Sequence, residues 1–222
     1  MNYLETALKT KNAWWRYVVI IVAVFLASNT IGSIPLLIPY IISLIRDPAV
    51  AGELAKNPSD LSLLGVDPAY GLFMMLFPFL VALLAFALLV KPMHERTFKT
   101  TLTGAGNFRW NHFIISFTTW IILSALYLFA YMKVEPSNFV LNNTTISLLF
   151  ISVIALTMIP FQAGLEEVLF RGYLMQGFAA LVKFRWFPLL ITSILFALMH
   201  SLNPEVNEYG FFNMMPQYFM FG

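Results

Sequence analysis

The sequence predicts an all-α fold, a polytopic transmembrane helical bundle of about five full spans plus the start of a sixth. Three observations predict it. The residues are 59% hydrophobic and 11% charged, apolar stretches recur at bilayer length, and basic residues alternate from one connection to the next. A water-soluble domain needs a charged surface as well as a core and does not sustain such a ratio.

The stretches fall at about 17–44, 69–90, 112–132, 146–165 and 186–202, each close to the roughly 20 residues that cross a hydrocarbon core. Trp14, Trp15, Trp110, Tyr131 and Trp186 stand at their edges, where amphipathic rings settle among headgroups. Pro35, Pro39, Pro78 and Pro160 lie in or near the spans, where neighbouring helices satisfy the carbonyls a proline frees. Lys9, Lys11 and Arg16 precede the first stretch in the manner of a secretion signal, but the apolar run continues from Tyr17 to Ile45. That is far longer than a signal's hydrophobic region, so it reads as a retained span, cleavage after Ala27 being the alternative. Residues 209–222 open a sixth stretch that rises only about 21 Å as a helix, short of a crossing. The expectation is therefore of a chain cut short at its C-terminus.

Charge orients the spans. The tail holds Lys9, Lys11 and Arg16, the second connection Lys91, Arg96, Lys99 and Arg109, and the fourth Lys183 and Arg185. The other two connections carry Arg46, Lys56 and Lys133 against Asp47, Glu53, Asp60, Asp67 and Glu135. Positive loops stay cytoplasmic, which places the N-terminus inside a plasma membrane, of bacterial type given the lack of organelle signals. The lipid bilayer is the first partner this implies. The formal charge of +2, with no basic stripe, gives no reason to expect nucleic acid. With no cysteine, disulfides and thiolate metal sites are excluded. His94, His112 and His200 are the only imidazoles, too scattered to suggest a shared metal.

One segment breaks the apolar pattern, PFQAGLEEVLFRGYLMQGF, with Glu166, Glu167 and Arg171. A charge near mid-bilayer costs roughly 2.5–3.5 kcal/mol on insertion scales, so such residues are expected to be paired and useful. Glu167 and Arg171 are four apart and share a helix face, the acid on the favourable N-terminal side. Glu166 is rotated by about 100° and aligns with Phe170. Glu167 is thus neutralised by Arg171, leaving Glu166 as the candidate general base. The plainer alternative is an ion pair that locks helices together or rests at the interface. His200 ends the fifth stretch in FALMHSLNP, with Phe196 one turn before and Asn203 one turn after. His112 beside Trp110 reads as interfacial and His94 as part of a basic loop, and neither is assigned a role. Methionines such as Met74, Met75, Met214 and Met215 read as packing residues.

Glu166-Glu167 with Arg171 resembles the EExxxR motif, and Phe196 with His200 the FxxxH motif, of the CPBP intramembrane proteases. That family includes the type II CAAX prenyl endopeptidase and bacterial proteins linked to bacteriocin processing and self-immunity. The resemblance runs from about Ile146 to the C-terminus, dividing the chain into N-terminal helices, 1–145, and a CPBP-like catalytic region, 146–222. It implies a peptide or membrane-protein substrate and a polar cavity among helices. There Glu166 activates water, His200 holds that water or stabilises the oxyanion, and Glu167 with Arg171 fixes the helix geometry. For the family both a glutamate-only and a metal mechanism have been argued. In this chain Glu166 and His200 would be the zinc ligands, too few for a complete site, and no cofactor is required. The family also carries a later histidine with Asn or Asp four residues on. None follows His200, so residues 1–222 are expected to be an incomplete, inactive piece.

Two further readings stay open: a non-enzymatic immunity factor or scaffold, and a transporter fragment using the carboxylates as a proton or cation site. Depth poses a condition on the proteolytic reading. A fifth span beginning at Trp186 inside puts His200 about 21 Å along, whereas Glu166 would end the fourth span near the inner face. The two meet only if the fourth helix continues past Glu166 or the start of the fifth protrudes.

Overall fold

A computed structural model describes residues 9–56, 61–104, 106–140, 145–182, 184 and 186–222. Asp60, Lys183 and Arg185, used above for orientation, lie outside the described residues. Among those described there is no strand, and four apolar helical segments are long enough to cross a membrane: Trp14–Arg46, Pro68–His94, Trp110–Val134 and Leu148–Leu181. The fold is an all-helical polytopic bundle, as the composition demands.

The first apolar stretch is two helices, α1 (Trp14–Thr30) and α2 (Ile34–Arg46). The break falls at Gly32 and Ser33, and Pro35 opens α2 in its first turn, where a missing amide costs nothing. Gly32 is needed here: a Cβ would stand 2.7 Å from the Pro78 Cα of the neighbouring span. A short helix α3 (Val50–Lys56) and a 3-10 turn (Leu61–Leu64) lead to α4 (Pro68–His94). Asp67 caps α4 by accepting from the Ala69 amide at 2.8 Å, satisfying a donor the helix leaves free. Glu95, at φ 57°, ends it in the left-handed region and turns the chain so that Arg96 is buried.

After α5 (Phe98–Thr103) comes α6 (Trp110–Val134), none of whose residues is buried. Phe117, Trp120, Leu126 and Phe129 are all exposed, as lipid-facing side chains would be. The fourth span begins with α7 (Thr145–Glu166), continues through a π-helical segment (Glu167–Leu174), and ends in α8 (Met175–Leu181). Its end near 165 in the sequence reading is thereby corrected: the helix runs on to Leu181. No proline or glycine cap follows Leu165, and Val168, Phe170 and Tyr173 continue its buried side.

The fifth stretch forms α9 (Phe187–Met199), 13 residues long, shorter than 186–202. The chain leaves α9 at His200 because Pro204 starts a new helix, α10 (Pro204–Tyr209), which is followed by α11 (Phe211–Phe221). The hydrophobic core lies where α1, α4, α7 and the π segment meet, around Tyr17, Ile20, Val24, Phe86, Val90, Leu165, Val168 and Tyr173. Gly177 lets α1 approach, since a Cβ there would sit 2.6 Å from the Tyr17 ring.

Candidate active site

The long fourth span and α9 form an antiparallel pair. Phe178 faces Phe187 with centroids 6.1 Å apart, and Phe170 meets Phe196 edge to face at 5.3 Å. Four residues back from Phe170 is Glu166, and four residues on from Phe196 is His200. This register brings Glu166 within electrostatic reach of His200. The condition set by the sequence is met because the fourth helix continues past Glu166.

Glu166 is half-buried and accepts a long 3.5 Å hydrogen bond from the Gln162 side-chain amide one turn earlier. Among the described residues no lysine or arginine pairs with it. Glu167 takes the arginine instead: Arg171 donates to its carboxylate and also to the Phe221 carbonyl. Both members of that pair are about half exposed, at 54% and 44% of their side-chain areas. They line a cleft of about 1020 Å³ with Thr103, Asn107, Arg109 and His112. His112, taken as merely interfacial from the sequence, thus shares that cleft with Glu167. Glu166 and His200 are not among the residues that line it.

His200 is oriented from both sides. Its Nδ1 lies 2.8 Å from the Phe196 carbonyl, which only accepts, so Nδ1 carries the proton and donates. In the neutral ring Nε2 is then left as an acceptor, suited to receive one hydrogen of a water molecule. The ring stacks on Tyr218 at 4.8 Å and lies tilted against Phe196 at 4.4 Å. Asn203 donates to the Tyr218 hydroxyl at 3.2 Å and so fixes the stacking partner. As zinc ligands Glu166 and His200 supply two donors. Among the described residues no three His, Asp or Glu side chains gather as a zinc site would need. Two donors fall short of the four that a zinc site takes.

A second polar cluster sits on the same helix, further along, and escaped the sequence reading. His94 is not in a loop; it is the last residue of α4 and fully buried. Its Nδ1 lies 2.7 Å from the Lys11 carbonyl and its Nε2 2.7 Å from the Tyr173 hydroxyl. By the same logic Nδ1 donates and Tyr173 donates to Nε2. Arg96, 3% exposed, donates to Gln176 at 2.8 Å, and Gln176 donates to the Thr101 carbonyl at 3.2 Å. The guanidinium lies near the Tyr17 and Tyr173 rings, 5.8 and 5.4 Å from their centroids, a cation–π setting that offsets part of its burial. His94 and Tyr173 are 79 residues apart, and no spacing rule links them.

A helical membrane protein with a carboxylate and an imidazole opposed across two packed helices is the class this arrangement defines. Comparison with known proteins narrows it. Residues 147–222 match the family of type II CAAX prenyl endopeptidase Rce1-like proteins, over the region whose motifs carry the CPBP resemblance, and the match points to a membrane protease. The chain is also 26% identical over 209 residues to the uncharacterized protein YyaK of Bacillus subtilis (strain 168), covering 94% of this chain and 68% of that one. No solved structure matches.

Proposed function

We propose that the protein is an intramembrane endopeptidase that hydrolyses peptides, or the ends of membrane-associated proteins, with a water activated by Glu166. The observation that carries this reading is the register of the fourth span against α9, which opposes Glu166 to His200 within the family-matched region. A water between them donates one hydrogen to the Glu166 carboxylate and the other to His200 Nε2. Its oxygen adds to the substrate carbonyl as a proton passes to Glu166. When the C–N bond breaks, Glu166 returns that proton to the leaving amine. His200 in this neutral form holds the water; stabilising the oxyanion would require the imidazolium, which has a donor at Nε2. Glu167 and Arg171 hold the helix around the reacting group. Lipid and a peptide are the partners, with the N-terminal tail facing the cytoplasm of a bacterial plasma membrane. Supporting that orientation, the tail and the start of the second connection lie at one end of the bundle, where Arg16 donates to the Met93 carbonyl.

The test is cleavage of a membrane-tethered reporter peptide by the full-length protein in liposomes. Glu166→Gln is nearly isosteric and is expected to lower the rate by about 10²–10⁴, the range general-base catalysis supplies, while insertion is unchanged. Retained cleavage in a well-inserted Glu166→Gln protein returns the chain to the scaffold reading.

A further inference from the structure

The acidic doublet lies at the boundary of the only π-helical element among the described residues, Glu167–Leu174. Its wider hydrogen bonding is explicit at the far end, where the Met175 amide bonds to the Phe170 carbonyl five residues back. Such segments are rare, and a π-bulge accommodates one residue more than the α-helix would over the same stretch. Relaxation to α geometry would take that residue into the regular register and rotate one half of the span against the other by about 100°. Something must therefore hold both halves. The N-terminal half is held by Leu165 and Val168 in the core, and by Phe170 against Phe196. The C-terminal half is held by Tyr173 and Gln176, both fully buried and both bonded to partners outside the span.

We propose that Tyr173, fixed by its hydrogen bond to His94, is a positioning residue for Glu166. The Lys11 carbonyl, His94 and Tyr173 form a chain that ties the tail and the end of α4 to the C-terminal half of the fourth span. Tyr173 has little room to shift, because the Tyr17 ring lies 4.7 Å from it and Phe86 meets it edge to face at 5.1 Å. With that half immobile, the π turn fixes the direction in which Glu166 leaves the helix, toward His200 and away from the Glu167 cleft. Loss of the Tyr173 hydroxyl loosens the C-terminal half, the π turn relaxes, and the part of that rotation taken up by the N-terminal half moves Glu166 off the imidazole. This role rests on the reading that Glu166 carries the chemistry.

The experiment reads the carboxylates without a substrate, so it stands apart from the cleavage assay. The full-length protein in phosphatidylcholine–phosphatidylglycerol vesicles is treated with dicyclohexylcarbodiimide, an apolar carboxyl reagent, and adducts at Glu166 and Glu167 are quantified by mass spectrometry. Tyr173→Phe is expected to change the Glu166-to-Glu167 ratio several-fold, and His94→Leu to do the same. His94→Gln, which retains a donor for the Lys11 carbonyl and an acceptor for Tyr173, is expected to restore the wild-type ratio. In the cleavage assay Tyr173→Phe lowers kcat several-fold with KM little changed. An unaltered modification pattern in Tyr173→Phe and His94→Leu, absence of adducts in all proteins included, overturns the proposal even if melting temperature falls. Full cleavage by Glu166→Gln would instead overturn the protease reading and leave the adduct ratio untouched.

Discussion

The two halves of the fourth span are built on opposite plans. From Tyr173 to Gly177 the helix is enclosed, its polar atoms bonded to His94 and Arg96 and its glycine pressed against Tyr17. At Glu166 the same helix offers a half-buried carboxylate with one long hydrogen bond, no lysine or arginine partner among the described residues, and only His200 within electrostatic reach. The difference teaches where rigidity and reactivity reside in this chain. Buried polar groups bonded across helices favour a single arrangement, although the Arg96 Nε and Nη2 atoms remain without a hydrogen-bond partner, and a carboxylate without an arginine or lysine beside it is left for chemistry. The π segment lies between the two.

That contrast can be broken at either end. The largest expected stability loss follows His94→Leu, which strips the Lys11 carbonyl and the Tyr173 hydroxyl of a partner at about 1–3 kcal/mol each. His200→Leu is expected to abolish cleavage while costing much less stability, because its Nδ1 bond is local and its ring half-buried. Unfolding of both variants in detergent micelles, set beside reporter cleavage, measures the two losses; equal destabilisation would erase the proposed division. A smaller effect is expected from Gly177→Ala. The added Cβ would meet a Tyr17 ring already confined by His94 and Tyr173, and overpacking of this kind costs about 1–3 kcal/mol. The smallest is expected from Arg171→Gln. Its ion pair with Glu167 is about half exposed, and such pairs contribute about 1 kcal/mol or less.

What the sequence makes legible follows from which interactions are local. The spans are written in unbroken apolar runs, and the Glu167–Arg171 pair in a four-residue spacing, so both are read directly. Glu166 and His200 stand out because each interrupts or ends an apolar stretch. Their meeting, however, depends on where a helix stops, and the charged Glu166, Glu167 and Arg171 break the apolar run there although no cap follows Leu165. The split of the first stretch at Gly32 needed knowledge of Pro78 on another span. His94 and Tyr173 were invisible for the same reason. Each is unremarkable in its own neighbourhood, and only tertiary packing joins a histidine beside basic residues to a tyrosine in an apolar run.

The central claim is that Glu166, and not its neighbour Glu167, faces His200 across the fourth span and α9. Residues 1–222 contain no cysteine, so paired cysteines within them report this directly. Three double variants are treated with a short bis-maleimide in native membranes: Phe170→Cys with Phe196→Cys as the register control, Glu166→Cys with His200→Cys, and Glu167→Cys with His200→Cys. The account predicts bridging in the first two and little in the third, scored by intact mass. Bridging at 167 and 200 with none at 166 and 200 would contradict it.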